Sequence, residues 1–485
     1  MALAGHGGTP GSIQARCDAG WRHRLRCGRR PAARNRFRVP ALALPALALA
    51  AVTLLGACAE QRVQFSSSPL LPYLQRKAGR IGFIGIDGNI RSVDQTGARN
   101  TPLTEDAGAN RAARTVVAYS QPTWSPDGRS LAFARTAITG RRTLSSSIWV
   151  SGDGEPPREV SRSDRLRPIY LYWSPDSEKL TMLSQPIGSA QLELGVIEVA
   201  DNRYRPLDQG QPYYWSWMPD NSALITHVGG DIRFNDAARL SRVPLDPSGV
   251  KSDFNIPPAG FQAPAVSPDG RYLAYVTAAG SGAGSGSGGG STLVLRELQG
   301  PDEHLLADVP GFAYLAFAPS GSRIAVMTSA RPGPSADGQL TIFDTGSDDK
   351  LELPHDDVIA FFWAPNGRRV AYLVPARAVD EAGLEIDPLF AREQGRFYAE
   401  LRVVNVRRGN SWRVTQFPLS PRFVREQLPY FDQYLRSTSV WSPDSRTLIY
   451  PALTEAGTPG IFVSPANGTL RPRLVAEGDF AHWSP

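Results

Sequence analysis

Trp124-Ser-Pro-Asp127 is the first copy of a short phrase that returns along this chain. Later and sometimes degenerate copies are Trp173-Ser-Pro-Asp176, Trp217-Met-Pro-Asp220, Val266-Ser-Pro-Asp269, Phe317-Ala-Pro-Ser320, Trp363-Ala-Pro-Asn366, Trp441-Ser-Pro-Asp444 and Trp483-Ser-Pro485. Their first residues are separated by 49, 44, 49, 51, 46, 78 and 42 positions. A period of about 45 residues is the length of one four-stranded propeller blade, so the repeat predicts an all-β chain folded as a β-propeller.

Each position of the phrase has a physical role. An apolar stretch precedes it, as in Ala360-Phe-Phe-Trp363, which suits a buried strand. Pro ends that strand because it has no N–H to give to a ladder, and Asp accepts hydrogen bonds in the turn that follows. Leu131-Ala-Phe-Ala134 then begins a second apolar strand. The phrase therefore predicts a hairpin turn, and the repeated Asp residues are interpreted as turn formers rather than as a catalytic carboxylate cluster.

The two ends of the chain complete each other. Residues 80–104 have the pattern of later blade strands without an opening phrase, whereas Phe480–Pro485 is an opening phrase with no blade after it. Pairing the N- and C-terminal strands would close the ring and hide two free sheet edges. The sequence thus predicts seven whole blades and one composite blade, eight in all, with seven as the alternative because the Phe317 copy is weak.

This repeat resembles that of the TolB family, whose propeller blades carry a W-S-P-D-G phrase between their first two strands. The resemblance covers residues 80–485 and implies the propeller fold. It implies no single activity, because the same repeat occurs in scaffolds, peptidase propellers and lyases. The chain also departs from TolB, in which a separate α/β domain precedes a six-bladed ring, so partners of TolB are not carried over.

The N-terminus has the order of a secretory signal. Nine Arg and one acidic residue lie between Arg16 and Arg38, and an apolar run from Ala41 to Ala57 follows. The end of this run, Leu55-Gly-Ala-Cys58, resembles the bacterial lipobox, which implies that Cys58 is lipidated and becomes the new N-terminus. The sequence predicts a signal peptide at 1–57, a tether at 58–79 and a location in the cell envelope, on the periplasmic or extracellular face of a membrane. A plain transmembrane anchor is the alternative.

Removing the signal changes the composition of the mature chain. The formal charge is +6 for the whole sequence, and residues 1–57 contribute +8, which leaves about −2. This balance argues against nucleic-acid binding. Cys17 and Cys27 are lost with the signal, so no disulfide and no Cys-based metal site are expected. We expect no cofactor, no metal and a monomer.

Two insertions explain the longest interval between phrases. They span 376–395 and 417–436, and together with a Gly-rich loop at 279–290 they are expected at one mouth of the ring. In the second insertion, Ser420-Pro421 is typical of a helix start. Its aromatic residues form the candidate partner-binding set: Phe423, Tyr430, Phe431 and Tyr434. The alternative is that these side chains simply pack down on the ring.

Catalysis finds little support in the sequence. The mature chain has four His, assigned to different blades, at His227, His304, His355 and His482, and it has no G-x-S-x-G nucleophile motif. The predicted function is a non-catalytic, membrane-anchored, extracytoplasmic propeller that binds a protein or extended polymer at the insertion-bearing mouth. The alternative is a lyase or hydrolase of extracellular or cell-wall polysaccharide that uses His and carboxylates at the channel.

Overall fold

A computed structural model describes residues 79–110, 114–139, 142–152, 154–230, 237–256, 258–260, 262–277, 291–300, 302–309, 311–330, 337–376 and 397–485. The predicted signal peptide, Cys58, the tether up to residue 78, the Gly-rich loop and nearly all of the 376–395 insertion lie outside the described residues. Within the described ranges, no helix is long and apolar enough to cross a membrane.

The described residues form strands that assemble into seven sheets. The first three strands are β1 (Ile81–Gly85), β2 (Ile90–Val93) and β3 (Thr101–Pro102). A five-stranded sheet follows: β4 (Gly108–Asn110), β5 (Thr115–Trp124), β6 (Leu131–Thr139), β7 (Arg142–Ser151) and β8 (Arg158–Ser163). Two four-stranded sheets come next: β9 (Leu166–Trp173), β10 (Lys179–Pro186), β11 (Leu192–Glu198) and β12 (Arg203–Gly210); then β13 (Tyr213–Trp217), β14 (Ala223–Val228), β15 (Arg239–Pro244) and β16 (Ser252–Asp253).

Three more four-stranded sheets continue the series. They are β17 (Ala265–Val266), β18 (Tyr272–Thr277), β19 (Ser291–Glu297) and β20 (Glu303–Val309); β21 (Phe312–Phe317), β22 (Arg323–Ser329), β23 (Gly338–Asp344) and β24 (Lys350–Glu352); and β25 (Ala360–Trp363), β26 (Arg369–Pro375), β27 (Tyr398–Asn405) and β28 (Ser411–Pro418). The seventh sheet joins β29 (Thr447–Leu453), β30 (Pro459–Pro465) and β31 (Arg473–Trp483) to β1, β2 and β3.

The ring closes by pairing of the two chain ends, as predicted. The second half of β31 is antiparallel to β1, with Ile81 opposite Trp483. The first half of β31 pairs with β30, so one strand serves both the Trp441 repeat and the composite repeat. The seven sheets confirm an all-β propeller with the alternative count of seven blades. The preferred count of eight treats the Trp441 repeat and the composite repeat as two blades, whereas β31 belongs to both and joins them in one six-stranded sheet.

The repeated phrase forms the hairpin turn that the sequence predicts. The Ser125 hydroxyl donates to the Asp127 carboxylate at 2.5 Å, and the same carboxylate oxygen accepts the Arg129 N–H at 3.0 Å. Gly128 has a φ of 69°, which a residue with a Cβ rarely adopts. Comparable bonds hold the turns at Asp176, Asp220, Asp269 and Asp444. The interpretation of these Asp residues as turn formers is confirmed.

Neighbouring turns touch one another and form a rim, which we call the turn face. The Asp127 N–H donates to Ser177 at 3.1 Å, and the Asp176 N–H donates to Asn221 at 3.2 Å. The Trp of a phrase can also reach back to the preceding blade, as when the Trp173 indole donates to the Thr123 carbonyl at 3.1 Å. Loops between second and third strands, and connections between blades, open on the opposite side, which we call the mouth face.

Candidate functional site

The described insertion between β28 and β29 forms a compact helical segment, and we call residues 419–438 the plug. It consists of a π-helical turn (Phe423–Gln427), a 3-10 turn (Leu428–Tyr430) and the short helix α1 (Phe431–Ser437). The Ser420 hydroxyl accepts the Phe423 N–H at 3.1 Å, so the helix start predicted at Ser420-Pro421 is confirmed. Ser420 also donates to Asp479 at 2.8 Å, which fixes the plug to β31.

One side chain of α1 pairs with a strand edge in the way another strand would. The Gln433 carboxamide accepts the Trp215 N–H at 3.1 Å and donates to the Trp215 carbonyl at 3.0 Å. Trp215 lies in β13, the first strand of its blade, and that strand ends its sheet. The plug therefore satisfies backbone groups that face the centre of the ring.

Other contacts extend this pattern around the ring. Asp432 accepts the Ala263 N–H at 3.0 Å, and Arg436 donates to the carbonyls of Ala263 and Leu315 at 3.3 and 3.1 Å. The Tyr170 hydroxyl donates to the Gln433 carbonyl at 2.9 Å. These bonds connect one short helix to β9 and β21 and to the segment before β17. The plug thus lies across the centre of the propeller.

The four candidate aromatic residues have two different environments. Phe431 stacks on Tyr314 with ring centroids 5.1 Å apart, and Tyr434 meets Tyr170 edge to face at the same distance. Phe423 is also buried, at 8% exposure. Tyr430 is 50% exposed. The packing alternative therefore describes Phe423, Phe431 and Tyr434, whereas only Tyr430 presents its ring to solvent. A partner-binding role for the set stays a prediction.

The plug holds a buried acid, Asp432, and a partly buried base, Arg436, one helical turn apart. Asp432 is 1% exposed, and burial raises the pKa of its carboxyl to about 6, although the Ala263 N–H and the Arg436 charge oppose this shift. Burial also lowers the pKa of Arg436. Taking both charges out of water is costly, and each has only part of its hydrogen-bonding capacity used by described residues. We find here a fixed polar centre that sequence reasoning missed.

The four His residues lie in different parts of the ring. Burial lowers the pKa of His227, on β14, to about 4, and that of His482, on β31, to about 3. His304 lies exposed on β20, and His355 lies against the Tyr372 ring. Among the residues that the structure describes, no group of three His, Cys, Asp or Glu is placed to hold a metal ion.

Exposed apolar side chains are concentrated at the mouth face. Loops that open there carry Ile86, Ile187 and Phe397, which are 58%, 60% and 59% exposed. At the mouth end of β5 and β6, Val116 and Ile138 are 47% and 37% exposed. With Tyr430 they make six exposed apolar positions on the mouth face.

The N-terminal segment joins the ring on the other side. The Arg80 N–H donates to the Ser484 hydroxyl at 2.8 Å, and Ser484 belongs to the last phrase of the turn face. A cleft of about 1100 Å³ opens beside this junction, between the β2–β3 and β7–β8 loops. Arg80, next to the first described residue, therefore lies on the turn face.

Comparisons with known proteins concern the fold. No protein-family model matches the chain, and no curated protein matches it. Among solved structures it is similar to TolB from Acinetobacter baumannii, with 16% identity over 58% of this chain and 65% of that chain, at a TM-score of 0.34. The match therefore spans less than two thirds of that TolB chain.

Two other solved structures have different activities in their names. The propeller domain of the Trilobed protease from Pyrococcus furiosus shares 10% identity over 75% of this chain and 99% of that chain, with a TM-score of 0.45. An oligogalacturonate lyase from Vibrio parahaemolyticus shares 9% identity over 82% and 86%, with a TM-score of 0.39. The names of these three structures share no single activity.

Proposed function

We propose that this protein is a membrane-anchored, extracytoplasmic β-propeller that binds a protein or an extended polymer at its mouth face and performs no chemistry there. The observation that carries the proposal is the plug. Because the plug occupies the centre of the ring, a ligand at the mouth meets a closed surface with Tyr430 and the surrounding apolar side chains, rather than an open channel.

The bonding of the plug favours recognition by a preformed surface. Gln433, Asp432 and Arg436 tie α1 to backbone groups of several blades, so Tyr430 projects from a helical segment that is already ordered. A surface that needs no ordering when it binds loses less entropy and binds more tightly. Tyr430 would become buried when a partner binds, and tyrosine is one of the residue types that dominate the binding energy of interfaces.

The position of the N-terminal junction is compatible with an anchor on Cys58. The chain enters the ring at Arg80 on the turn face, whereas Tyr430 lies on the mouth face. Cys58 precedes Arg80 by 22 positions, so an anchor at Cys58 would be connected to the ring through this junction.

Site-specific photo-crosslinking tests mouth binding in cells. A photo-reactive phenylalanine analogue at Tyr430 or Ile187 should give one discrete adduct with a shared partner. The matched control is the same analogue at Val250, which is 84% exposed in the β15–β16 loop on the turn face. Adducts from Val250 but not from the mouth positions would contradict the proposal, as would the complete absence of adducts from the mouth.

Lipid labelling tests the anchor separately. Cells supplied with a labelled fatty acid should label the wild-type protein, and Cys58→Ser should abolish the label because it removes the thiol of the lipobox. The variant should then accumulate as uncleaved precursor or as released protein. Labelling that is unchanged in Cys58→Ser would refute lipidation at this residue while leaving mouth binding open to the crosslinking test.

A further inference from the structure

The sheet of β25–β28 carries a cluster of Arg side chains on the turn face. Its two turn-face loops, 364–369 and 405–410, contain four Arg and no acidic residue. We call these four residues the arginine patch: Arg368, Arg369, Arg407 and Arg408. The Val406 N–H donates to the Arg368 carbonyl at 3.1 Å, so the two loops touch. All members of the patch except Arg369 are exposed.

Neutral side chains hold these two loops in place. The Asn366 carboxamide accepts the Arg368 N–H at 3.0 Å, in the position where other phrases use an Asp carboxylate. The Asn405 carboxamide accepts the N–H groups of Arg407 and Arg408 at 3.1 and 3.0 Å. Within the described parts of the chain, none of the four guanidinium groups is paired with a carboxylate. The turns are therefore built without the negative charge that would balance the patch.

The other six sheets differ from this one, because each has at least one acidic residue in its turn-face loops. Five of them have an acid in the phrase itself: Asp127, Asp176, Asp220, Asp269 and Asp444. In the sheet of β21–β24, whose phrase ends in Ser320, the loop before β24 contains Asp348 and Asp349. Positive charge on the turn face is therefore concentrated at the sheet of β25–β28, and such an uneven distribution orients a protein at a charged surface.

A membrane surface with anionic phospholipids has the chemistry that this patch would recognise. Guanidinium groups donate hydrogen bonds in a planar fork that matches phosphate oxygens, and the negative surface potential attracts basic side chains within a Debye length. The patch shares the turn face with Arg80. Because Cys58 precedes Arg80 by 22 positions, an anchor there keeps the ring within about 75 Å of the membrane even when the chain between them is fully extended. An anchored ring needs little further affinity to dock, since the connection raises its effective concentration at the surface.

We propose that the arginine patch docks the ring on the anionic phospholipid headgroups of the membrane that holds its anchor. The inference rests on the anchor in the proposed function and is independent of binding at the mouth. The acidic residues in the other turn-face loops are repelled by the same surface, so the ring meets the membrane tilted, with the sheet of β25–β28 nearest to the headgroups. The mouth face then points away from the membrane.

Fluorescence quenching in vesicles tests this orientation. The full chain is incorporated into vesicles whose lipid headgroups carry a nitroxide quencher, with a fluorophore at Asn410, Val250 or Ile187. Asn410 is exposed in a patch loop, Val250 lies elsewhere on the turn face, and Ile187 lies on the mouth face. We expect strong quenching at Asn410 alone, and only when the vesicles contain phosphatidylglycerol as well as phosphatidylcholine. Raising the salt concentration from about 0.1 to 1 M shortens the Debye length from about 10 to 3 Å and should abolish the quenching.

Two double variants assign the docking to the patch. The first, Arg407→Gln with Arg408→Gln, removes half of its charge. The second, Asn366→Asp with Asn405→Asp, keeps all four Arg but gives both loops the kind of carboxylate that the other turns use, so it should melt like the wild type. Each should reduce the ratio of docked to undocked ring at least tenfold, because one basic residue near an anionic surface contributes about a fivefold factor.

A third double variant is the matched control. Arg129→Gln with Arg203→Gln lowers the net charge of the chain by the same amount, but these Arg residues are next to loops that contain Asp127 and Asp201. Docking of this variant should equal that of the wild type. The melting temperatures of all three variants establish that the ring is folded.

Several results would overturn the inference. They are equal quenching at Asn410 and Val250, quenching that persists in phosphatidylcholine alone, and equal losses in the control and the patch variants. A DNA duplex that binds the patch in preference to the vesicles would assign it to nucleic acid instead. A full chain that does not enter vesicles would refute the anchor and the inference together.

The proposed function fails in different experiments. Docking without crosslinked adducts at Tyr430 would refute mouth binding alone. Unchanged fatty-acid labelling of Cys58→Ser would refute lipidation at that residue alone, because the quenching experiment needs only that the full chain is held in the vesicle. Adducts at Tyr430 without quenching at Asn410 would refute the arginine patch and keep mouth binding.

Discussion

The two faces of this ring are built in opposite ways. On the turn face, a turn held by an Asp side chain recurs in several blades, and some of these turns also contact the next one. On the mouth face, a single plug makes contacts that occur once each, such as the two bonds between Gln433 and Trp215. The repeated turns distribute the stability of the turn face over many equivalent hydrogen bonds. The stability of the plug depends instead on a few hydrogen bonds that have no equivalents elsewhere among the described residues.

The largest effect should come from the strand that both terminal repeats share. Deleting Phe480–Pro485 removes His482 and Trp483, two of the four β31 residues that pair with β1, and Trp483 is 1% exposed. We expect loss of cooperative unfolding and aggregation, because the ring opens and exposes two sheet edges. Calorimetry and size-exclusion chromatography measure this, with deletion of Pro485 alone as the control. A truncated protein that melts at the wild-type temperature would show that the ends do not clasp the ring.

The next prediction compares the loss of stability caused by truncating two neighbouring aromatic residues of the plug. Phe431→Ala should reduce the free energy of unfolding by about 3–5 kcal/mol, because it removes a ring that is 2% exposed and packed on Tyr314. Tyr430→Ala should change it by about 0.5 kcal/mol or less, since half of that side chain is exposed. Denaturant unfolding of both variants gives the two values. Equal losses would mean that the plug is not anchored through Phe431.

A third test uses pH, to which the two faces should respond with opposite sign. Burial raises the pKa of Asp432 from 3.8 to about 6, so the stability that its neutral form contributes is present below pH 4 and lost as pH rises through 6. Hydrogen bonds from the Ser222 N–H and hydroxyl lower the pKa of Asp220, so its contribution is present above about pH 4 and is lost on acidification.

Two Asn substitutions isolate these contributions. Relative to the wild type, Asp432→Asn should gain stability as pH rises from 4 to 7, because Asn stays neutral. The deficit of Asp220→Asn should instead shrink as pH falls below 4. Melting temperatures at a series of pH values give both differences, and Tyr430→Ala provides a profile parallel to the wild type. A pH-independent difference for Asp432→Asn would contradict burial of a titrating carboxyl in the plug.

The smallest effect is expected for a single turn of the repeat. Asp127→Ala removes acceptors for the Ser125 hydroxyl and the Arg129 N–H, and should cost about 1 kcal/mol. Asp269→Ala, which removes the corresponding bonds from another turn, should cost a similar amount. Chemical denaturation compares them. If one variant lost several times more free energy of unfolding than the other, the turns would not be energetically equivalent.

Local chemistry explains what the sequence predicted correctly. The turns were recognisable because Asp127 bonds to Ser125 and Arg129, which are only two residues away on either side. Ring closure was recognisable because incomplete repeats stand at both ends. The blade count was not, since it depends on whether β31 runs unbroken through Gly478 and Phe480, where the backbone changes conformation.

The candidate site was harder to predict because its contacts are distant in sequence. Gln433 lies 218 positions from Trp215, and nothing in the residues around either one indicates that they meet. Composition drew attention to Phe423, Phe431 and Tyr434, yet their burial depends on the strands that surround them. Asp432 and Arg436 appeared to be ordinary polar residues of an insertion. Asp432 and Arg436 are one helical turn apart within an aromatic segment, and this spacing was the feature of the sequence that could have identified them.

The shared strand β31 also sets the order in which this molecule becomes complete. Arg80 bonds to Ser484 across 404 positions of sequence, so β1, the first described strand, can complete its pairing only after the residues around Ser484 have been synthesised. Until then, β1 lacks β31 as its partner, and the strands on the two sides of β31 in the six-stranded sheet remain unconnected. Contacts between such remote segments form slowly. Partly translated chains therefore carry an open ring, and this interval is when chaperones and proteases have the greatest opportunity to act on the protein.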